Sequence, residues 1–473
     1  MKATQSALMR MHRWIDEHQS EIIEELQGFA RIRSVSRADL ASVRAPYGPE
    51  MREMLNHALM RGASFGFDTT DHEGHCGSIT WGDPNRAIGI FGHLDVVPEG
   101  ENWTWPPFAA TRQGDFLIGR GTSDNKSACI IGLMLMRMYK ELGISLRHGL
   151  RLVCGCSEET GMSDMEYFAQ TQVTPQLSLV PDMRFPVCYA QKGMMKARMD
   201  ISLGQAELLS FIGGEAENMV PPRAEAVLSL PAARVAAALS DIPGIAVFAI
   251  DDGTTRVCAT GLAAHAAYPE TGRSAIHLLA DTLVSSGLLS PEPCSALSAV
   301  ADVASCFYGR QAGIHCEDPE TGKTTTVLGT AETHDGQLYI TVDGRLSIAT
   351  NLPDVERNFS DYAARLGFHL SELSLKNPFY ISKDDPKVTA LMQLYGEMTG
   401  DDAPAYTSGG GTYSRCLENA ITFGPGFPGA LPTPDGLPEG HGGAHAPDEY
   451  IHIPTFIRAM KIFAAAIIEL DQL

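Results

Sequence analysis

The sequence has no cluster of basic residues and no long hydrophobic run. It carries 36 lysines and arginines against 57 acidic residues, for a formal net charge of -21. Without a basic patch, neither a nucleic acid nor an anionic membrane surface is expected as a partner. The longest apolar stretches, Ala128–Met136 and Phe463–Ile468, are far shorter than the ~20 residues that cross a bilayer.

Neither a secretory signal nor a disulfide framework is expected. The first residues lead into an amphipathic pattern rather than into a charged segment followed by an apolar run, so no signal peptide is expected. The ten cysteines are scattered, and only Cys154 and Cys156 are close in sequence. This pattern predicts reduced, mostly buried thiols in a cytoplasmic protein, with that pair packed in the core.

What the sequence does contain is the composition of a large globular protein. Its 473 residues are 44% hydrophobic, which favours two domains. Short apolar runs at Ala87–Phe91, Gly149–Cys154 and Leu177–Val180 are typical of buried strands, and Lys126–Leu142 has a helical period. Strand, helix and strand in this rhythm predict an α/β fold with parallel strands and helices on both faces of the sheet.

The middle of the chain has a different texture. Residues 194–378 mix short β-rich stretches with alanine-rich segments at 224–239 and 275–289 that suggest helices. We therefore expect an inserted α+β domain at 194–378 that divides a catalytic domain into residues 1–193 and 379–473. Further amphipathic helices are predicted at 5–27 and at about 454–470.

Residues with chemical function follow the predicted strands. His93 and Asp95 come after the first strand, and Asp182 follows the third. Ligand sites of open α/β sheets lie at the carboxyl ends of the strands, and a carboxylate often orients a histidine that binds metal. The alternative for His93 and Asp95 is an ordinary pair in a surface loop.

Two further acidic positions fit the same pattern. Asp124 precedes the predicted helix, where its alternative role is that of an N-cap. Glu158 and Glu159 follow the second strand, and adjacent buried carboxylates are costly unless they are protonated, paired or bound to a cation. A solvated turn is the alternative there. The prediction of a ligand site therefore depends on four separate segments that bring such residues to the same edge of the sheet.

The number of these residues indicates two metal ions. His93, Asp124, Glu159, Asp182 and a histidine from the end of the chain would fill two sites that share one carboxylate. His445 is the preferred late histidine, and His441 competes with it. Mixed nitrogen and oxygen ligands suit zinc, manganese or cobalt.

Several motifs resemble one enzyme family. Gly92–Pro98, Gly119–Lys126 and Glu158–Gly161 are similar to motifs of the di-metal peptidase family of acetylornithine deacetylase, succinyl-diaminopimelate desuccinylase and carnosinase, with the bacterial dipeptidase V branch nearest. Asn218–Pro221 and Gly410–Arg415 extend the match. The resemblance implies a zinc-exopeptidase fold, in which a phosphorylase/hydrolase-like mixed sheet is covered by helices and carries a large inserted α+β lid domain.

The resemblance also implies a role for each matching residue. One metal ion would be held by His93, Asp124 and Asp182, and the other by Asp124, Glu159 and His445. Glu158 would be the general base, Asp95 would orient His93, and His265 would stabilise the oxyanion. Asn218, Arg345 and Gly410 would hold the substrate. Asn125 and Ser127 depart from the residues usual in the family, but neither replaces a ligand.

The implied activity is that of a metal-dependent dipeptidase. Two divalent ions, zinc first and manganese or cobalt as alternatives, would generate a bridging hydroxide that attacks the peptide bond. The size of the inserted domain favours a monomer that acts on small peptides. The alternatives are a metal-dependent deacylase of N-acyl amino acids and a catalytically silent metal-binding homologue.

Overall fold

The computed structural model describes residues 5–204, 206–240 and 242–473. The chain forms two compact units. The first comprises the residues up to Tyr189 together with Ile381–Tyr406 and Thr412–Leu473, and the second comprises Ala190–Tyr380 and Thr407–Gly411. The insert was expected at 194–378; the second unit has slightly wider limits, and a short segment near residue 410 also belongs to it.

The helices of the described residues are α1 (Gln5–Glu17), α2 (Gln19–Ala30), α3 (Pro49–Ser64), α4 (Lys126–Leu142), α5 (Ser163–Thr171), α6 (Ala232–Ala238), α7 (Ala275–Ser285), α8 (Pro291–Ala304), α9 (Leu352–Leu366), α10 (Pro386–Thr399) and α11 (Ile453–Leu470). Among them, none is both long and apolar enough to cross a membrane.

The strands are β1 (Asp68–His72), β2 (Cys76–Trp81), β3 (Ala87–His93), β4 (Thr111–Gln113), β5 (Phe116–Ile118), β6 (Gly149–Gly155), β7 (Leu177–Val180), β8 (Met183–Arg184), β9 (Val187–Gln191), β10 (Gly193–Ser202), β11 (Leu208–Gly213), β12 (Met219–Val220), β13 (Arg223–Leu228), β14 (Ile245–Ala249), β15 (Thr255–Thr260), β16 (Ala264–His265), β17 (Glu317–Asp318), β18 (Gly322–Lys323), β19 (Thr325–His334), β20 (Gln337–Leu346), β21 (His369–Lys376), β22 (Phe379–Tyr380), β23 (Tyr406–Ser408), β24 (Ala420–Phe423), β25 (Pro425–Gly426) and β26 (Tyr450–His452).

The first unit is built on a mixed sheet. Its strands lie in the order β1, β2, β6, β3, β7, β24 and β9. The centre is parallel, since β3 pairs in parallel with β6 and β7, while β2 and β9 join antiparallel. Every residue of β3 is buried, as expected for a strand covered on both faces. The predicted α/β fold with parallel central strands is confirmed.

The second unit is an antiparallel sheet with helices. Its eight strands run in the order β14, β15, β13, β11, β19, β20, β10 and β21. The apolar core includes Phe211 from the sheet and Ile276, Leu297 and Phe359 from α7, α8 and α9. A sheet and helices that share one core make this unit α+β, so the expected class of the insert is also confirmed.

Two of the predicted helices differ from the structure. The helix expected at 5–27 is interrupted at His18, which separates α1 from α2. The segment at 224–239 begins as strand β13 and becomes helical only at Ala232. Ala224, Ala226 and Leu228 are buried while the residues between them are less so, so their period is two, and the alanine content alone was misleading.

One buried histidine of the first unit makes its stability sensitive to acid. His72 lies at the end of β1 with 5% of its surface exposed, and its Nε2 is 2.8 Å from Ser78 Oγ. Burial, and after it the positive charge of Arg151, lowers the pKa of His72 to about 4. In the unfolded chain the ring keeps its ordinary value of 6.5. The unfolded state therefore binds a proton first as the pH falls.

We predict that the stabilisation present above pH 6.5 is lost between that value and about pH 4, at a cost of about 1–2 kcal/mol near pH 5 after allowance for solvent screening. His72→Gln should remove this component. The measurement is urea unfolding near pH 7 and near pH 5, followed by tryptophan fluorescence. All four tryptophans, Trp14, Trp81, Trp103 and Trp105, lie in the first unit. An equal loss of stability in the variant and the wild type would contradict the prediction.

Candidate metal centre

His93 ends β3 and is almost completely buried. Its Nδ1 lies 2.8 Å from the main-chain oxygen of Asp95, which can only accept a hydrogen bond. The ring therefore carries a proton on Nδ1 and directs Nε2 toward the neighbouring carboxylates. That Nε2 lies 3.1 Å from an oxygen of Asp124 and 3.8 Å from one of Asp182. The ring is thus oriented as a metal ligand requires.

Asp124 lies between two histidines. Its Oδ1 is 3.1 Å from His93 Nε2, and its Oδ2 is 3.1 Å from His445 Nε2. The N-cap of α4 is not Asp124 but Asn125, whose Oδ1 accepts the N–H of Ala128 at 3.2 Å. The alternative role considered for Asp124 is therefore filled by its neighbour.

The loop after β6 carries Glu158 and Glu159, and the carboxylate of Asp95 holds it in place. Its two oxygens accept the N–H groups of Glu158 at 3.1 Å and of Glu159 at 3.0 Å. The same carboxylate is 3.5 Å from Nδ1 of His93, farther than the main-chain oxygen of Asp95. Asp95 thus accepts a hydrogen bond from the histidine through its main-chain oxygen and those of the two glutamates through its carboxylate.

A second buried carboxylate supports the same loop from behind. Asp164 accepts the N–H groups of Cys156 at 2.6 Å and Ser157 at 3.0 Å, and the hydroxyl of Tyr413 donates to it at 2.5 Å. A Cβ atom at Gly155 would lie 1.9 Å from that hydroxyl, so only glycine fits there. Asp164 was not predicted from the sequence. The helical context of α5 gave no signal that it faces inward.

Asp182 follows β7 and accepts a hydrogen bond from Asn125, a contact that was not predicted from the sequence. The amide nitrogen of Asn125 donates to Asp182 and, at 3.0 Å, to the main-chain oxygen of Pro181. The asparagine that departs from the family pattern therefore links the loop before α4 to the loop after β7.

The late histidine that joins this group is His445. Its Nε2 lies 2.9 Å from Glu159 Oε1 in addition to its contact with Asp124. The competing His441 lies elsewhere, because its Nδ1 is 2.6 Å from Asp448 Oδ2. Among the described residues, His441 is hydrogen-bonded to the buried carboxylate of Asp448, whereas His445 contacts Asp124 and Glu159.

Two sets of these side chains bring one ligand atom each to within 4.8 Å of one another. One set is His93, Asp124 and Glu159, and the other is His93, Glu158 and Asp182. Nitrogen and carboxylate oxygen donors at such distances are the chemistry that zinc, manganese and related divalent ions bind. The residues present therefore fit a divalent metal ion.

The acid–base properties of the cluster point the same way. Burial raises the pKa of Asp182 to about 8, and it also raises that of Glu158, to which the charge of Asp182 adds. Burial opposes ionisation of Asp124, but hydrogen bonds from His445 and His93 outweigh it and lower the pKa of Asp124. Hydrogen bonds to Asp124 and Glu159 raise the pKa of His445 to about 10. So many adjacent carboxylates need cations, and a divalent ion supplies the largest local charge.

The other predicted site residues belong to the second unit. His265 on β16 pairs with Met219 on β12, and the N–H of Ala266 donates to the main-chain oxygen of Asn218 at 2.9 Å. The ring of His265 accepts the N–H of Ala267 at Nδ1, at 3.1 Å. Burial and then the charge of Arg345 lower the pKa of His265.

Arg345 lies near the end of β20 and is buried. Its Nε and Nη2 donate to the two oxygens of Asp343 at 2.8 and 3.1 Å, and its Nη1 donates to the main-chain oxygen of Gly409 at 3.4 Å. The next residue, Gly410, donates its N–H to Ser408 Oγ at 3.0 Å. Arg345 and the glycine-rich segment are thus in direct contact within this unit.

Comparisons with known proteins agree with this arrangement. Residues 89–469 match Peptidase family M20/M25/M40. The chain is 31% identical over 470 residues to "Putative dipeptidase YtjP" of Bacillus subtilis, covering 96% of this chain and 97% of that protein. A Staphylococcus saprophyticus protein, "Putative dipeptidase SSP1012", is 28% identical over 430 residues, covering 87% and 91%.

Solved structures share the fold. Human carnosine dipeptidase 1 has a TM-score of 0.57 at 16% identity, covering 98% of this chain and 99% of that one. The dipeptidase Dug1p of Saccharomyces cerevisiae has a TM-score of 0.58 at 14% identity, with both chains fully covered. The resemblance found in the motifs is confirmed, and the chain belongs to Peptidase family M20/M25/M40.

Proposed function

We propose that this peptidase is a metal-dependent dipeptidase, which hydrolyses the peptide bond of dipeptides. The observation that carries the proposal is the convergence of two histidines and four carboxylates from the ends of β3, β6 and β7, the loop before α4 and the turn before β26. The names of relatives that match most of the chain support small peptides as the substrates.

We infer that His93, Asp124 and Asp182 hold one divalent ion and that Asp124, Glu159 and His445 hold a second. The shared position of Asp124 is supported by its two oxygens, each of which faces a different histidine. Bound divalent ions lower the pKa of water and polarise a peptide carbonyl. Zinc is the proposed metal, with manganese and cobalt as alternatives, because all three accept mixed nitrogen and oxygen ligands.

Glu158 is the proposed general base, which takes a proton from the attacking water and gives it to the leaving amine. The carboxylate of Glu158 receives no hydrogen bond from any described residue. The carboxylate of Glu159, by contrast, contacts the ring of His445. Its main chain is fixed by Asp95. The pKa of Glu158, raised first by burial, favours uptake of a proton.

His265 is proposed to donate a hydrogen bond to the substrate oxygen on which charge develops. Because its Nδ1 accepts the N–H of Ala267, the neutral ring must carry its proton on Nε2, where it can donate. The lowered pKa of His265 favours this neutral form. Asn218, Arg345 and Gly410 are the proposed substrate-holding residues, and the cationic Arg345 suits the carboxylate of a dipeptide.

We also infer a cytoplasmic monomer. The ten free cysteines support a reducing compartment. The size of the second unit, with its own eight-stranded sheet, supports an enzyme whose single chain supplies every site residue.

The experiment that tests this function is hydrolysis of a dipeptide panel by protein stripped with a chelator, before and after zinc, manganese or cobalt is added back. We expect metal-restored cleavage of dipeptides, with a tripeptide and N-acetyl amino acids left intact. Cleavage of the acyl compounds alone would show a deacylase. Metal binding without any hydrolysis would show a silent homologue.

Replacing the general base should separate chemistry from metal binding. We expect Glu158→Gln to lower kcat by about 10²–10⁴-fold, the usual contribution of a positioned base, while the metal content of the dialysed protein stays at the wild-type level. Glu101→Gln, at an exposed loop position, is the matched control. Loss of one metal equivalent from Glu158→Gln would instead identify Glu158 as a ligand.

Replacing His265 should slow the chemical step without changing metal content. We expect His265→Ala to lower kcat by about 10²–10³-fold, as removal of one donor to a developing oxyanion does. His369→Ala provides the control, because His369 is an exposed histidine of the same unit. A kcat for His265→Ala close to that of the control would exclude the oxyanion role.

A further inference from the structure

We infer that Glu449, held by Arg120, is a positioning residue for two of the proposed metal ligands, Asp124 and His445. This inference rests on the metal sites of the proposed function. Neither Glu449 nor Arg120 belongs to the candidate ligands, and the sequence analysis gave neither residue a role.

The carboxylate of Glu449 accepts hydrogen bonds from two main-chain N–H groups and from Arg120. It is fully buried, and its Oε1 accepts the N–H groups of Ser123 and Asp124, both at 2.9 Å. Its Oε2 accepts Nη1 of Arg120 at 2.8 Å. One carboxylate therefore fixes the main chain at the residue proposed to bridge the two ions.

The guanidinium of Arg120 also donates to the turn that carries His445. Nη1 also donates to the main-chain oxygen of Ala446 at 3.2 Å, and Nη2 donates to that of His445 at 3.3 Å. The main-chain oxygen of Glu449 in turn accepts the N–H of Gly119 at 2.8 Å. The buried pair thus joins the loop before α4 to the turn that carries His445.

The backbone conformation of that turn explains why it needs support. His445 has a φ of 65° and Asp448 a φ of 55°, which is the left-handed region that residues with a side chain rarely adopt. Such conformations persist where the surrounding structure determines them. Here the surroundings include the guanidinium of Arg120, buried with 1% of its surface exposed.

The consequence is that Asp124 and His445 are set relative to each other before a metal ion binds. The side chain of His445 is more than half exposed, so the ring has little packing of its own to hold it. Without Glu449, two main-chain N–H groups and one guanidinium lose their acceptor in a buried place. The two ligands would then no longer share a fixed separation, and affinity for metal would fall.

The test measures metal affinity and ligand geometry in the full chain, with no substrate present. Glu449→Gln keeps the shape of the side chain but places an amide NH₂ among groups that all donate. We expect its Kd for Mn²⁺, from competition with a chelator, to rise by about 10–100-fold, as is typical for partners that orient ligands. We also expect the visible absorption of its Co²⁺ form to differ from that of the wild type.

Asp471→Asn is the matched control. Asp471 is also a buried carboxylate of the first unit that accepts two consecutive N–H groups, those of Arg147 and His148, both at 2.9 Å. The segment that it holds, Arg147 and His148, precedes β6 and lies at the end of that strand opposite to Glu158. We expect this variant to lose stability but to keep the wild-type Kd and cobalt spectrum.

Arg120→Lys provides a second variant if Glu449→Gln does not fold. Lysine keeps the charge but cannot reach Glu449 and the His445 turn together, so we expect a smaller rise in Kd. Wild-type Kd and cobalt spectra in a folded variant of either residue would overturn the inference. Failure of the wild type to cleave dipeptides would count against the proposed activity alone, because neither readout needs a substrate.

Discussion

The arrangement of the site depends on one constraint, which is that several carboxylates lie close together at one edge of the buried sheet of the first unit. Glu158 and Glu159 follow β6, and Asp182 follows β7. Asp124 lies at the end of the loop before α4. Burial, and after it the negative charge of the neighbouring carboxylates, opposes the ionisation of Asp182 and raises its pKa to about 8. Such a cluster is stable only if cationic partners compensate its charge and the loops that carry it are held in place. The remaining features of the site follow from that requirement.

A second group of buried carboxylates accepts main-chain N–H groups, and it does so in consecutive pairs. Asp95 accepts the N–H groups of Glu158 and Glu159, Asp164 those of Cys156 and Ser157, and Glu449 those of Ser123 and Asp124. Each of these acids is buried, and each fixes a loop that carries a proposed ligand or leads to one. The acids of the site therefore divide into those that face the cluster and those that hold its loops. A sequence shows both kinds as the same residue type.

The sequence predicts the elements that local patterns determine and misses those that depend on distant partners. The buried runs of β3, β6 and β7 and the helical period of α4 are local, so the parallel centre of the sheet and the edge where the ligands lie could be inferred. The strand character of β13 depends on pairing with β11 and β15, and the assignment of Thr407–Gly411 to the second unit depends on the fold as a whole. The contacts of Glu449 were hidden for the same reason, because its N–H partners Ser123 and Asp124 come from a distant segment, and Asp164 likewise has a distant partner in Tyr413.

The pair Asp124 and Asn125 shows how a departure from a family pattern can serve the same electrostatic requirement. A second aspartate at position 125 would add another carboxylate beside Asp182, whose pKa burial already raises. The asparagine instead donates its amide nitrogen to Asp182 and accepts the N–H of Ala128 with its oxygen, which caps α4. Only a side chain with both a donor and an acceptor can do both at once without adding charge. The amide thus frees Asp124 from capping the helix, and the carboxylate of Asp124 remains available to the two histidines.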